Sequence, residues 1–418
     1  MTHSPAPSSA APRSATDRDF TVFWFGQTLS ELGNAFALVA LPLLVLHATG
    51  SVAQMGLLTA VAGAASIVTG VFAGSVVDRL DRRRLMIGCD LARMALFGLI
   101  PVVWAVSPQV WLLFVVMAFN SVFEMTFRIA YVTAVASLVD ADRLVAANGR
   151  LETTNAVAFI AGPVLAGAVS GWWGPTVAIA VNAGSFAVSA LALAAIRLRR
   201  GQPAPAPDAG SVREGFLVGF RFLWRTPVLR AVTLLLTMIS FVSLGLIDVV
   251  IYHLRTGLGG TDGVVGLALG AAGAGTVVAA VLVPGLRRRL GFGPCWLGSY
   301  VLCGISVALL GLSGSVPAVA VLVLLYTVGM GVAGICSMSL RQAITPDHLL
   351  GRVTSAFWTL HTALAPLGAA ALTALVGAVG VRGPLLAVGG VFLAVVVIGL
   401  ATPIRRRFPE HGQEILRR

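Results

Sequence analysis

Two glutamates stand inside long apolar stretches, and each belongs to a spaced polar stripe. Gln27, Glu31 and Asn34 fall at i, i+4 and i+7, and Asn120, Glu124 and Arg128 fall at i, i+4 and i+8. At helical periodicity each triplet occupies one face. Ionisable residues inside an apolar span are costly and mark functional positions. Withdrawing a carboxyl group from water favours its neutral form, so such a group can take a proton from one side of a membrane and release it to the other. Glu31 is the first candidate for that role and Glu124 the second, although Arg128 beside Glu124 would equally favour a permanent structural ion pair. Thr237, Ser240 and Asp248 share roughly one face of a later stretch, with Asp248 near its end, suited either to an external gate or to the membrane interface. Asp90 and Arg93, at i and i+3, are expected to extend a charged loop's network rather than to bind substrate. His361 is alone in its stretch and reads as a hydrogen-bonding packer.

The elements that must carry these residues are membrane helices. The chain has 418 residues, 57% of them hydrophobic and 11% charged, with a mean hydropathy of +0.91. Soluble domains carry roughly 25% charged residues, so a large soluble core is excluded. A span needs roughly 20 predominantly apolar residues, and about twelve such stretches follow. The first six lie near 20–47, 52–77, 85–106, 109–136, 152–172 and 175–196; the second six lie near 229–254, 263–285, 292–313, 316–340, 353–379 and 384–404. At 1.5 Å per residue, Glu31 and Glu124 sit roughly 15–20 Å from the span ends, near midplane.

The expected organisation is a polar tail over 1–19, a six-helix half over 20–196, a connector over 197–228, a second six-helix half over 229–404 and a tail over 405–418. The first tail lacks the charged start and short apolar core of a cleaved signal. Within the connector, Phe216, Phe220 and Leu223 share one side of the piece Val212–Arg225, as in an amphipathic surface helix. Arginines cluster after spans 2, 6, 8 and 12 and recur after spans 4 and 10, whereas the opposite connections carry only Arg255 and Arg382. By the positive-inside rule this places both termini in the cytoplasm. All 29 basic residues are arginine, and the net charge of +12 follows membrane side rather than one domain, which disfavours nucleic acid. Cys89, Cys295, Cys303 and Cys336 show no metal-ligand spacing and read as small apolar residues. No GxSxG, phosphate-loop or HExxH motif suggests an enzyme.

The halves also echo each other. SLVDADRLVAANGR between spans 4 and 5 matches QAITPDHLLGRVTS between spans 10 and 11, with Asp142 opposite Asp347 and Leu144 opposite Leu349. Two similar halves around a cavity are a transporter architecture.

GSVVDRLDRR, between spans 2 and 3, fits the pattern G-x-x-x-D-R-x-x-R-R through Gly74, Asp78, Arg79, Arg82 and Arg83. Here the chain resembles the major facilitator superfamily over nearly its whole length. Asp81 stands where that family usually has glycine, and the second-half counterpart VPGLRRRLG lacks the aspartate. The resemblance implies an all-α fold of two pseudo-symmetric six-helix halves, with spans 1, 4, 7 and 10 lining a central cavity. The loop would hold the cytoplasmic ends together in one state, a role that positive-inside anchoring does not require of Gly74 or Asp78. In span 5, AFIAGPVLAG resembles an element of family members that export by exchange, through Gly162, Pro163 and Gly167; a simple bend is the alternative. The surrounding wording is similar to the macrolide-efflux and siderophore-exporter branch.

Together these readings point to a monomeric secondary transporter in a bacterial-type inner membrane. It would use the proton motive force and no cofactor or metal to export an amphipathic small molecule. Uptake or facilitated passage without proton coupling is the transport alternative, and a non-transporting receptor or scaffold is the alternative of another class. Reporter fusions test the orientation: those at Arg84 and within 197–211 should read as cytoplasmic, those at Thr49 and Gly174 as external, and the reverse pattern would invert the assignment.

Overall fold

Hydrocarbon offers no hydrogen-bond partners, so a segment that crosses it must satisfy its own backbone. The computed structural model describes residues 15–77, 80–139, 143–196 and 212–408, and among them the answer is helix throughout, with no strand. The first half holds α1 (Ala15–Thr49), α2 (Val52–Val77), α3 (Arg82–Val106), α4 (Val110–Leu138), α5 (Leu144–Trp173) and α6 (Pro175–Ala195). The connector helix is α7 (Val212–Arg225). The second half holds α8 (Pro227–Ser243), α9 (Leu246–Tyr252), α10 (Asp262–Leu290), α11 (Phe292–Leu310), α12 (Val316–Ile344), α13 (Asp347–Thr362), α14 (Ala365–Val379) and α15 (Arg382–Leu400). Counting α8 with α9 and α13 with α14, twelve segments are long and apolar enough to cross a membrane.

Two spans expected to be continuous are interrupted. The seventh breaks between Ser243 and Leu246, and its far end widens into a π turn over His253–Gly257. The eleventh breaks at Ala363 and Leu364, just ahead of Pro366, which has no N–H to give to the Thr362 carbonyl four residues back. The interruptions pack on one another. A Cβ on Gly368 would lie 1.7 Å from the Phe241 carbonyl oxygen, and one on Gly245 would lie 3.0 Å from the Ala369 Cα. Only glycine permits backbones that close.

One apolar core runs through both halves, and a smaller one lies within the first. Phe97 and Phe186 meet at 5.7 Å in the first half. In the second, Trp296 meets Tyr300 edge-on at 4.6 Å and donates its indole N–H to Ser337 Oγ at 2.8 Å. All four cysteines are buried and free. In α7, Phe216, Phe220 and Trp224 stack in succession while Leu223 is buried. That helix leans on α13 at Gly219, where a Cβ would strike the Arg352 carbonyl. At the far end of α5, Trp172 and Trp173 are exposed, as interface anchors are.

The halves meet most closely at the end where arginine is scarce. A Cβ on Gly167 of α5 would lie 2.6 Å from the Gly266 Cα of α10, and one on Gly273 would lie 2.7 Å from the Phe159 carbonyl oxygen. On the other flank, Gly56 of α2 packs on Thr373 of α14, and Gly63 on Pro366. Overpacking such a contact costs about 1–3 kcal/mol, which corresponds to roughly a 5–150-fold shift in a two-state equilibrium. Gly167→Leu should therefore slow disulfide formation between Gly171→Cys and Gly263→Cys, in a background lacking the four native cysteines, at least about fivefold. An unchanged rate would show that this contact does not hold the halves together.

Candidate substrate and coupling site

Arg93 organises the first half. Its guanidinium is only 3% exposed, and a buried guanidinium keeps its charge and requires acceptors. Arg93 Nε donates to Asn120 Oδ1 at 3.0 Å and Nη2 donates to Asn34 Oδ1 at 2.9 Å. Glu124 Oε2 lies 3.8 Å from Nη2, and the Phe186 ring lies 4.0 Å from the guanidinium carbon. Asn34 in turn donates to Glu31 Oε2 and Asn120 to Glu124 Oε2, each at 3.4 Å. Arg128 Nη2 reaches Glu124 Oε1 at 3.4 Å. The stripes of α1 and α4 thus converge on one arginine of α3.

Arg93 and Asp90 do not belong to the loop network in which the sequence places them. Arg93 lies eleven residues into α3, which begins at Arg82, so it sits roughly 16 Å from that end. Asp90 is fully buried and accepts from Ser189 Oγ of α6 at 2.6 Å, while Gln27 Nε2 donates to the same hydroxyl at 2.9 Å. Asp90 Oδ1 has no hydrogen-bond partner. Despite midspan positions, Glu31 is exposed and the Glu124 side chain is 39% exposed. The space beside the hub is therefore open.

The seventh-span residues divide at the break. Thr237 donates to the Leu360 carbonyl at 3.4 Å, and Ser240 Oγ lies 3.2–3.3 Å from the two ring nitrogens of His361. His361 stacks on Phe357 at 5.3 Å and meets Trp358 at 5.5 Å. These residues face α13, whereas Asp248 lies beyond the break and accepts from Thr59 Oγ1 of α2 at 2.8 Å. The single stripe expected from spacing is two separate contacts, because the helix does not run through Ser243–Leu246.

Asp248–Thr59 crosses between the halves, and a second link lies nearby. His47 at the end of α1 approaches Asp262 Oδ1 at 3.3 Å, and Arg255 Nε approaches the same oxygen at 2.9 Å. Arg255 Nη2 also lies 2.9 Å from His47 Nε2, and Nη1 donates to the Gly260 carbonyl at 2.6 Å. Both of these links between the halves lie at the arginine-poor end.

At the other end, Asp78 and Arg79 lie outside the described residues, and Gly74 falls in the last turn of α2. Asp81, the departure from the motif, caps α3 by accepting from the Arg84 backbone N–H at 2.9 Å. Arg83 Nε donates to the Leu193 carbonyl at 2.7 Å and its Nη2 to the Ala194 carbonyl, tying α3 to the end of α6. Arg82 is half-buried. In α5, Pro163 sits within one continuous helix; Gly162 packs on Ala35 of α1 while Gly167 packs on α10.

Sequence reasoning missed Ser189 and Phe186, which are unremarkable small and apolar residues of a span. It also missed Thr59 and the His47–Asp262–Arg255 cluster. That cluster had a signal: three ionisable residues on the side where the connections carry almost no charge.

Known proteins agree with this architecture. Residues 23–369 match the Major Facilitator Superfamily profile. The multidrug efflux pump Tap of Mycolicibacterium fortuitum is 26% identical over 393 residues, covering 91% of this chain and 94% of the relative. Macrolide efflux protein A of Streptococcus pyogenes is 24% identical over 225 residues, covering 53% of this chain and 55% of the relative. Among solved structures, the nucleoside transporter NupG superposes with a TM-score of 0.73 at 13% identity, covering 92% of this chain and 98% of the other. A bacterial homologue of the human lysosomal transporter Spinster, inward-facing and unoccupied, also gives a TM-score of 0.73, at 15% identity, over 95% of this chain and 97% of the other. With twelve spans in two halves and a profile match across most of its length, the chain belongs to the Major Facilitator Superfamily of membrane transporters.

Proposed function

We propose that this transporter exports amphipathic small molecules in exchange for protons, with its arginine-rich end and both termini in the cytoplasm of a bacterial-type cell. One observation carries the reading. The bundle is tied shut at its arginine-poor end, while Glu31 and Glu124 stay exposed at midspan beside Arg93. Carboxylates that stay accessible at midspan while one end of the bundle is closed are what alternating access requires of a coupling site. The named efflux functions of similar full-length proteins support the outward direction.

Within that reading each residue has a task. Glu31 is held only by Asn34 and is free to exchange a proton or meet a basic substrate group. Glu124, between Arg93 and Arg128, reports occupancy of the cavity to α3. Gln27 and Ser189 keep Asp90 in place behind them. On the opposite wall Thr237, Ser240 and His361 offer polar contacts beside Trp358, an exposed aromatic face. The loop bearing Asp78 and Arg79, with Arg82 and Arg83, would hold the cytoplasmic ends together in the opposite state.

Two experiments test this. In inverted vesicles, a pH gradient should drive transport of a fluorescent amphipath by the wild-type chain. Glu31→Gln should bind the dye with little change yet lose the response to the gradient, and Glu124→Gln should weaken it. Gradient-driven transport that survives both substitutions would leave proton exchange without a carrier here. Asp262→Asn removes the group shared by His47 and Arg255, so spin labels at Ala48 and Thr256 should shift toward longer separations. An unaltered distance distribution would mean that this cluster does not fasten the outer end.

A further inference from the structure

Two arginines are buried to the same degree, each 3% exposed, and only one of them is neutralised. Arg93 has two asparagine oxygens and a glutamate around it. Arg341, near the end of α12, has none of these. No described carboxylate lies within ion-pair distance of it. Its Nε is buried without a hydrogen-bond partner, and its Nη2 points at the Met338 thioether sulfur at 2.9 Å. Thioether sulfur is a weak acceptor, and a guanidinium does not shed its proton. Just past the helix end, four residues on, Thr345 Oγ1 is also buried and unpartnered. Hydrogen-bond capacity with nothing to bind is expensive in a protein interior, and here two such groups lie four residues apart in the chain.

The surroundings indicate what would complete them. The guanidinium carbon stands 3.9 Å from the centroid of Phe357, which stacks on His361. Met338 and Trp358, at 39% and 51% exposure, are open to the outside of the protein interior, so Arg341 lies one side-chain layer below accessible surface. The polar groups of this wall, Arg341, Thr345, Ser240 and His361, are rich in donors. The carboxylates Glu31 and Glu124 stand in the other half. A planar guanidinium beside a hydroxyl suits a carboxylate or another oxyanion, which it can grip with two parallel bonds.

We propose that Arg341, with Thr345, binds the acidic group of the transported molecule, and that the substrates are amphipathic zwitterions whose basic group turns toward Glu31 and Glu124. The proposal rests on the exporter reading for its substrate but not for its test. The Met338 contact then marks the resting position of the guanidinium, which leaves the sulfur when an oxyanion arrives. The aromatic face formed by Phe357 and Trp358 receives the apolar body of the ligand.

Binding decides it. The purified full-length chain, in nanodiscs of neutral lipid, is titrated with a rhodamine bearing a free carboxylate and with its methyl ester, read by fluorescence anisotropy. The wild-type chain should bind the acid about tenfold more tightly than the ester. Arg341→Gln should erase that preference and leave ester affinity unchanged, and Arg341→Lys should retain part of it. Equal binding of the two dyes by the wild-type chain, or a preference that survives Arg341→Gln, overturns the proposal. If Arg341→Gln binds neither dye, Thr345→Val and Arg341→Lys decide: a reduced preference upholds the site and an unchanged one refutes it. Loss of the preference when phosphatidylglycerol or inorganic phosphate is added at equal concentration would assign the site to a lipid headgroup or a free ion, and would also refute it. Should vesicles show no gradient-driven transport of either dye while the acid preference persists, the exporter reading fails and the oxyanion site stands.

Discussion

A guanidinium buried in an apolar bundle keeps its charge, and much of the first half follows from that constraint. Arg93 draws Asn34 from α1 and Asn120 with Glu124 from α4, and it lies against Phe186 of α6. Four helices are thereby fixed around one side chain. The polar stripes of α1 and α4 then have a structural meaning apart from any substrate: each asparagine gives its oxygen to Arg93 and its amide N–H to a glutamate. The same bonds hold Glu31 and Glu124 at the edge of the open space. A site that must exchange a charge is best built on one that cannot move.

The second half has no equivalent hub, and its geometry comes from backbone approach instead. Gly245 and Gly368 let the broken seventh and eleventh spans cross, while Gly167, Gly266 and Gly273 let α5 and α10 close on one another. Contacts of this kind are short-ranged and all-or-none, because a shift of an ångström loses them. Side-chain links with longer reach, His47–Asp262–Arg255 and Thr59–Asp248, reinforce them at the same end. The structure shows this face of the interface joined, and such contacts would have to part as a unit if the halves alternate between states.

The sequence made the spans readable because hydrocarbon thickness fixes their length. Polar stripes were readable because a period of 3.6 survives in any helix. What spacing does not carry is the neighbour across the helix gap. Asp90 and Arg93 looked like an appendage of the charged loop, yet their depth in α3 brings them to Ser189, Asn34 and Asn120. Thr237, Ser240 and Asp248 looked like one face, yet the break after Ser243 sends Asp248 to α2. The break packs against Gly368 and Ala369, more than a hundred residues away in the chain. Asp81 is the reverse case: read as a departure from a motif, it is explained locally, as the cap of α3.

The two walls of the cavity differ in a way that bears on the proposed exchange. In the first half Arg93 and Arg128 offset Glu31 and Glu124 in charge, so the wall is close to neutral; Glu124 is shared by the two arginines and Glu31 is held by Asn34. Under the proposed exchange, a proton and a basic substrate group compete for the same carboxylates, and binding one displaces the other. Competition at a shared site is sufficient for exchange, since each ligand lowers the affinity for the other and the linkage is reciprocal. The second wall, with Arg341 and no paired acid, takes no part in that competition. A ligand held there keeps its hold while the proton moves, so the proposed division of labour separates selection of the substrate from the step that drives its release.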